Sequence, residues 1–291
     1  MSIPRNHHHV SQCHIRLFFN EQEKKIYCYD KQLDHFYSKT TSKSLFSEAD
    51  ANSRPLGNAI DHESLEMDLK INFEDDFDRH ARNILALANK PYAPYDSQLE
   101  SLYYLACHGL IADIRNPVKK KETDDVMDGG FLELAERIRT AGNESYARSI
   151  EKSISERKKT KYSNPVYYSR IAAKRLEVMG DLDFVIFKIN SMDSFILPDA
   201  GCIQFRSKIN NYFNPNIREV ALIGIPLTDK VFVSACSKKL GSTDTGVKTI
   251  NDDKSPIVAE INRDLFLFAH KTIAAKDEQQ LKRVVSQLKS I

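Results

Sequence analysis

Between Leu102 and Ala112 the chain carries no charged side chain. A run of that length is too short to cross a bilayer, which takes about 20 apolar residues in a helix. It must therefore be covered by the protein's own core. Extended in both directions it reads as a helix over residues 97 to 115. Pro117 disfavours helical geometry at Asn116, so the helix should stop at Arg115. An arginine leaving a buried helix needs a carboxylate, a carbonyl or a ligand anion beside it. The run thus fixes a central buried helix with a polar exit and argues against an integral membrane protein.

The rest of the chain divides by its period. Val10, Cys13, Leu17 and Phe18 predict a short helix, a turn covers residues 20 to 25, and Ile26-Tyr27-Cys28-Tyr29 predicts a strand. Residues 31 to 60 read as an irregular surface excursion pinned by Phe36, Tyr37 and Phe46. From Asp61, a candidate N-cap, the apolar positions Leu65, Leu69, Phe73, Phe77, Ile84 and Ala88 predict one helix of about seven turns, with Pro91 beyond its end. Lys119 to Gly130 reads as a charged loop, followed by helices from about Phe131 to Arg157 and Val166 to Met179. From Asp183 the period becomes strand-like, with strands around 184–189, 194–197, 202–205, 220–225 and 231–235, mostly antiparallel because their links are short. The tail predicts a helix from Val258 through Ile273 and a second from Asp277 to Lys289. The expected class is α+β: an antiparallel sheet built from an early N-terminal strand and late C-terminal strands, covered by a central helical layer. Residues 1–291 are expected to form a single domain, its helical middle (about 61–180) inserted between β-containing ends.

Composition narrows the chemistry. The 42 basic and 40 acidic residues nearly cancel, leaving a net charge of +2 and no global field to draw the chain to nucleic acid or an anionic surface. Any such binding has to come from a local patch. Cysteines 13, 28, 107, 202 and 236 show no paired spacing, which predicts reduced thiols and a cytoplasmic location. The chain contains no phosphate loop, dinucleotide fingerprint, nucleophile elbow or His-Glu-x-x-His helix.

What remains is chemistry dispersed along the chain. On the first predicted helix His8, Gln12 and Arg16 fall four apart and share a face. The alternative is a solvated histidine tail with Gln12 capping backbone groups. Glu66, one residue past an apolar anchor, stands apart from the other acids of its helix. Arg115 is expected to pair with Glu66 first and Asp199 second. Asp199 lies in the turn Pro198-Asp199-Ala200-Gly201, where plain turn chemistry also accounts for it. Lys158, Lys159, Lys161 and Arg170, interleaved with Tyr162, Tyr167 and Tyr168, form the most basic stretch. Such a run tracks a phosphate backbone and stacks bases, or else is a solvated helix face with its tyrosines turned inward.

The box His8-His9-Val10-Ser11-Gln12, with Ile15 and Phe18 at the following apolar positions and Tyr29-Asp30 ending the first strand, resembles the opening of a bacterial family of domains of unknown function, number 4238. Further likenesses follow in the family's order: Leu65-Glu66, Arg115-Asn116-Pro117, the strand Phe195 to Asp199, Ile225-Pro226-Leu227-Thr228, and Ile261-Asn262. They cover roughly residues 6 to 275. The resemblance implies shared positions but supplies no activity.

Two functions are expected from these residues. In the first, the chain is a phosphodiester hydrolase, a nuclease-type effector in a phage-defence or toxin setting by analogy with other small bacterial families. His8, Gln12, Glu66, Arg115 and Asp199 would form its site, with Glu66 and Asp199 the candidates for holding a divalent metal such as magnesium or manganese. Nucleic acid would be its partner, along with a protein encoded nearby. In the second, the same residues bracket a ligand or partner in a non-catalytic recognition module.

Overall fold

A computed structural model describes residues 5–57, 59–90, 98–209, 218–241, 245–251 and 255–289. The chain opens with β1 (Asn6–His8) and α1 (Gln12–Arg16), then β2 (Ile26–Asp30) and β3 (His35–Lys39). The excursion after β2 is more regular than expected, carrying β4 (Ser47–Ala49), β5 (Arg54–Leu56) and β6 (Ala59–Asp61) as well as β3. His8 therefore lies in a strand, paired with Ser47 of β4, and the first helix begins only at Gln12.

The single long helix expected from Asp61 is broken. The N-cap position falls to Glu63 rather than Asp61, although Asp61 Oδ1 accepts from the backbone N–H groups of Glu63 and Ser64 as the helix starts. Then α2 (Ser64–Leu69) runs into a π-helical turn at Lys70–Glu74 before α3 (Phe77–Ala88). Pro91 and Ser97, at the ends of the expected helices, lie outside the described residues. The apolar run forms α4 (Leu99–Arg115), which packs on α3 and on the strands that follow later in the chain.

Directly after it, Asn116 accepts a hydrogen bond from Val118 N–H and Pro117 takes the first helical position, so a new helix starts at once. The expected charged loop is thus helical. The chain continues through Gly129 and Gly130 as α5 (Pro117–Thr140), turns at Gly142 with φ +88°, and returns as α6 (Glu144–Arg157). The helix α7 (Tyr168–Met179) completes the helical middle.

The second half supplies β7 (Leu182–Ile189), β8 (Leu197–Pro198), β9 (Ile203–Ser207), β10 (Glu219–Pro226), β11 (Val231–Ser237) and β12 (Gly246–Ile250). It ends with α8 (Pro256–Phe268), β13 (Thr272–Ala275) and α9 (Glu278–Lys289). The fold is α+β, with the early strand joined to a late one, but in two larger sheets rather than one, beside the two-stranded pairs β1-β4 and β5-β6. The order β3-β2-β13-β8 forms one sheet and β12-β7-β11-β10-β9 the other, antiparallel except for β12 beside β7. The expected tail helix stops at Phe268 because the Asp199 carboxylate takes the backbone N–H groups of His270, Lys271 and Thr272, drawing the chain out of helical register and into β13.

The main core lies between α3 and α4 on one side and β7, β10 and β11 on the other, with Phe77, Leu105, Leu110, Phe184 and Ile223 fully buried. Gly109 allows this close approach: a Cβ there would lie 2.4 Å from Ile223 Cγ2 and 2.9 Å from Ile225 Cδ1. Among the described residues no helix is long and apolar enough to cross a membrane.

Candidate anion-binding cleft

Arg115 leaves the end of α4 only 3% exposed and finds two acceptors. Its Nη2 donates to the backbone oxygen of His8 at 2.8 Å and to Glu74 Oε1 at 3.1 Å. Its carboxylate partner is therefore Glu74, not Glu66 or Asp199, because the π-helical turn brings Glu74 round to the end of α4. Glu66 instead accepts from Asn52 Nδ2 at 2.5 Å. Asn52 is a hub: its Oδ1 accepts from Lys120 Nζ at 2.7 Å and Tyr168 Oη at 2.7 Å, and its N–H donates to His7 Nδ1 at 2.8 Å. Lys120 is buried and also donates to Ala51 O at 2.6 Å and Asn164 Oδ1 at 2.8 Å. Burial, aided by the charge on Arg115, pushes its ammonium down to about 7. The three oxygens around Nζ call for three protons and oppose that shift.

His8 and Gln12 do meet, though not on one helix. Gln12 Nε2 stands 3.5 Å from His8 Nδ1, His8 Nε2 lies 3.1 Å from Ser42 O, and Gln12 Oε1 accepts from Ser42 Oγ at 3.1 Å. Burial holds the His8 imidazole below its ordinary pKa. His8, Gln12 and Arg115 are thus linked through side-chain and backbone contacts, with Glu66 near enough to act electrostatically on His8. Their polar atoms are largely spent on one another and on the loops they hold.

Asp199 takes a different part. Its carboxylate accepts three backbone N–H groups at 2.8 to 3.0 Å, and its backbone oxygen accepts from Asn116 Nδ2 at 3.2 Å. It is the strut that joins the start of α5 to the start of β13. Glu66 and Asp199 serve separate partners, and among the described residues no three His, Cys, Asp or Glu side chains converge as a metal site.

The basic stretch after α6 is also committed. Lys158 pairs with Asp128 at 3.4 Å, Lys159 with Glu156, and Lys161 with Glu48. Arg170 lies with its guanidinium carbon 5.8 Å from the Tyr167 ring centroid. The tyrosine hydroxyls turn inward, Tyr162 to Glu48 at 2.9 Å and Tyr168 to Asn52, while Tyr167 accepts from Arg54 at 2.6 Å. Neighbouring acids therefore offset the lysines, and the pattern is that of an ion-paired face.

An open cleft of about 710 Å³ has the character that this stretch lacks. It follows β9, the outer strand of the five-stranded sheet, between α4 and α7 on one side and the end of α8 on the other. Lys119 of α5, Arg175 of α7, Arg206 of β9 and Arg218 just before β10 line it, with Asp113 the one carboxylate of the lining among the described residues. Arg175 Nη1 donates to Asp113 Oδ1 at 2.8 Å and to Leu110 O, and Arg206 Nη2 reaches Asp113 Oδ2 at 3.4 Å. Gln204 Nε2 steadies the carboxylate, donating to Gly109 O at 2.7 Å and Asp113 Oδ1 at 3.2 Å. Two guanidinium groups thus share a single carboxylate. Lys119 is paired with Glu122 at 2.6 Å, and Glu122 also acts electrostatically on His270. His270 forms part of the wall, and burial depresses its pKa despite the opposing pull of Asp199.

A smaller cleft of about 350 Å³ lies across the Asp199 strut, lined by His9, Asp30, Tyr37, Asn116, Lys271 and Thr272 among others. Of the histidines in the N-terminal box, it is thus His9 that lines this cleft, and burial holds its imidazole down at about 3. The cations of the larger cleft come from four separate elements and share no spacing in sequence. The only local sign of them is the alternation Gln204-Phe205-Arg206, which puts an arginine and an aromatic on opposite faces of a short strand.

A model of the family described as "Protein of unknown function (DUF4238)" matches residues 6–279. No curated protein and no solved structure matches the chain.

Proposed function

We propose that this chain, which belongs to the DUF4238 family of proteins of unknown function, binds a phosphate-bearing ligand of the phosphodiester class in the cleft along β9. One observation carries the reading: among the described residues, Arg175, Arg206 and Arg218 line an open cleft whose lining carboxylate, Asp113, is already shared by Arg175 and Arg206, while Lys119 of the same lining is paired with Glu122. Guanidinium groups match phosphate oxygens in a two-pronged fashion, and an excess of positive charge in a concave site draws polyanions from solution. Nucleic acid is the phosphodiester partner that this chemistry suits.

Hydrolysis of that phosphodiester is the second reading, and His270 favours it. An imidazole on the wall of a cation-lined cleft, its pKa lowered by burial, is placed where a general base could reach the ligand. His8, tied to Ser42 and Gln12, is less suited to that role than His270. Incubating the purified protein with RNA and DNA oligonucleotides, with and without Mg²⁺ or Mn²⁺, tests both readings. Binding is expected, and cleavage that disappears in His270→Ala while binding persists supports the hydrolase. Binding without cleavage supports a recognition module, and absence of binding contradicts the phosphate reading.

A further inference from the structure

We infer that the cleft takes a nucleotide, with its base against Phe205 and its phosphate held by Arg175, Arg206 and Arg218. This rests on the phosphate-binding reading of the same cleft and adds what the phosphate is attached to. Inorganic phosphate or a sugar phosphate asks only for donors and charge. This cleft presents apolar and aromatic surface among its cations as well.

Phe205 is 42% exposed although it belongs to a strand, and Leu267 at the rim is 68% exposed. Single exposed apolar side chains are ordinary on protein surfaces. Here, however, both line the cleft that gathers the arginines. The Phe205 ring meets Phe268 edge-on, with centroids 6.0 Å apart and planes at 65°. An edge-on neighbour steadies a ring without covering its face, the arrangement that a stacking platform needs.

The topology explains how one ligand reaches both kinds of group. Side chains alternate across a strand, so Gln204 and Arg206 turn toward Asp113 while Phe205 turns toward the end of α8. In an inner strand those faces would be separated by neighbouring strands. β9 is the outer strand of its sheet, so both faces open into the same cleft. A ligand with a flat apolar part at one end and a phosphate at the other can straddle this edge. A nucleotide is such a ligand, and about 710 Å³ falls within the range of small-molecule sites.

Isothermal titration of the full chain with inorganic pyrophosphate, ribose 5-phosphate, a nucleoside 5′-monophosphate and a dinucleotide tests the inference. The nucleoside monophosphate should bind more tightly than ribose 5-phosphate by on the order of tenfold, the usual size of one base–aromatic stack. Phe205→Ala and Phe205→Leu should both close that gap, and Phe205→Trp should keep or widen it. The leucine variant retains apolar bulk, so its failure to discriminate reports the loss of the ring rather than of the fold. Equal binding of the two ligands by the wild type, or a gap that survives both substitutions, overturns the base site and leaves the phosphate reading standing. Failure of all four ligands to bind overturns the phosphate reading itself.

Discussion

Arg115 and Glu74 form an ion pair across 3.1 Å, with the arginine 3% exposed and the glutamate side chain 31% exposed. The pair ties the end of α4 to the π-helical turn, and the second bond of Arg115, to His8 O, adds the N-terminal segment to the same knot. Glu74→Gln would leave a buried guanidinium without a counter-charge. It should destabilise the protein by about 3 kcal/mol, the low end for a broken buried pair because Glu74 itself is partly solvated. Glu66→Gln keeps an oxygen for Asn52 and should cost about 1 kcal/mol. Urea denaturation of the two variants checks this, and equal losses would contradict the assignment of Glu74 as the partner.

Stability should also fall in mild acid. His14 and His108 are buried in the core beside Phe77, with His14 Nε2 2.7 Å from the backbone oxygen of Pro226. Burial holds His14 down to about 4 and His108 well below the ordinary histidine value. A folded pKa below the unfolded one, about 6.5, means that the unfolded chain binds more protons. The contribution is therefore whole above pH 6.5 and is lost as pH falls through about 4. For His14 alone it amounts to roughly 3 kcal/mol. Urea midpoints should already decline between pH 6.5 and 5, above the range in which ordinary carboxylates titrate, and a flat profile there would contradict the buried neutral pair.

The packing of α4 on β10 makes Gly109 intolerant of even one methyl group. Gly109→Ala sets a Cβ against Ile223 and Ile225 at distances that atoms do not adopt. The strain should outweigh the gain in helix propensity and lower stability by about 1 to 3 kcal/mol. Alanine at Gly129, where nothing lies within 4 Å of the added atom, should instead be neutral or stabilising by up to about 1 kcal/mol. Thermal melts of the two variants should therefore shift in opposite senses, or by very different amounts.

How much of this could be read from sequence depended on how local the deciding forces are. The α4 helix was legible because an unbroken apolar run followed by Pro117 leaves few alternatives. The strand at Ile26 and the helix up to Lys289 were legible from period alone. Gly129 and Gly130 suggested a loop, but α5 runs through them because it packs along α6, where Ala135, Ala147 and Ile154 are buried. Thr272 and Ile273 looked like more helix, and what puts them in β13 instead is a carboxylate some seventy residues earlier in the chain. The same holds for the sites. His8, Gln12 and Arg115 are in contact as a group, yet Glu74 was one of the other acids from which Glu66 alone stood apart. Arg175, Arg206 and Arg218 meet only once β9 becomes the outer strand of its sheet, a fact of topology that no local spacing encodes.

The salt dependence of oligonucleotide binding tests the phosphate-binding cleft most directly. Each cation that displaces counterions from a single strand contributes about 0.7 to the slope of log affinity against log salt concentration. Arg206→Gln and Arg218→Gln should each flatten the wild-type slope by roughly that amount, whereas Lys158→Gln, whose lysine is already paired with Asp128, should leave it as it was. A slope unmoved by the two arginine substitutions and flattened by the lysine one would place the phosphates on the face after α6 and contradict the cleft.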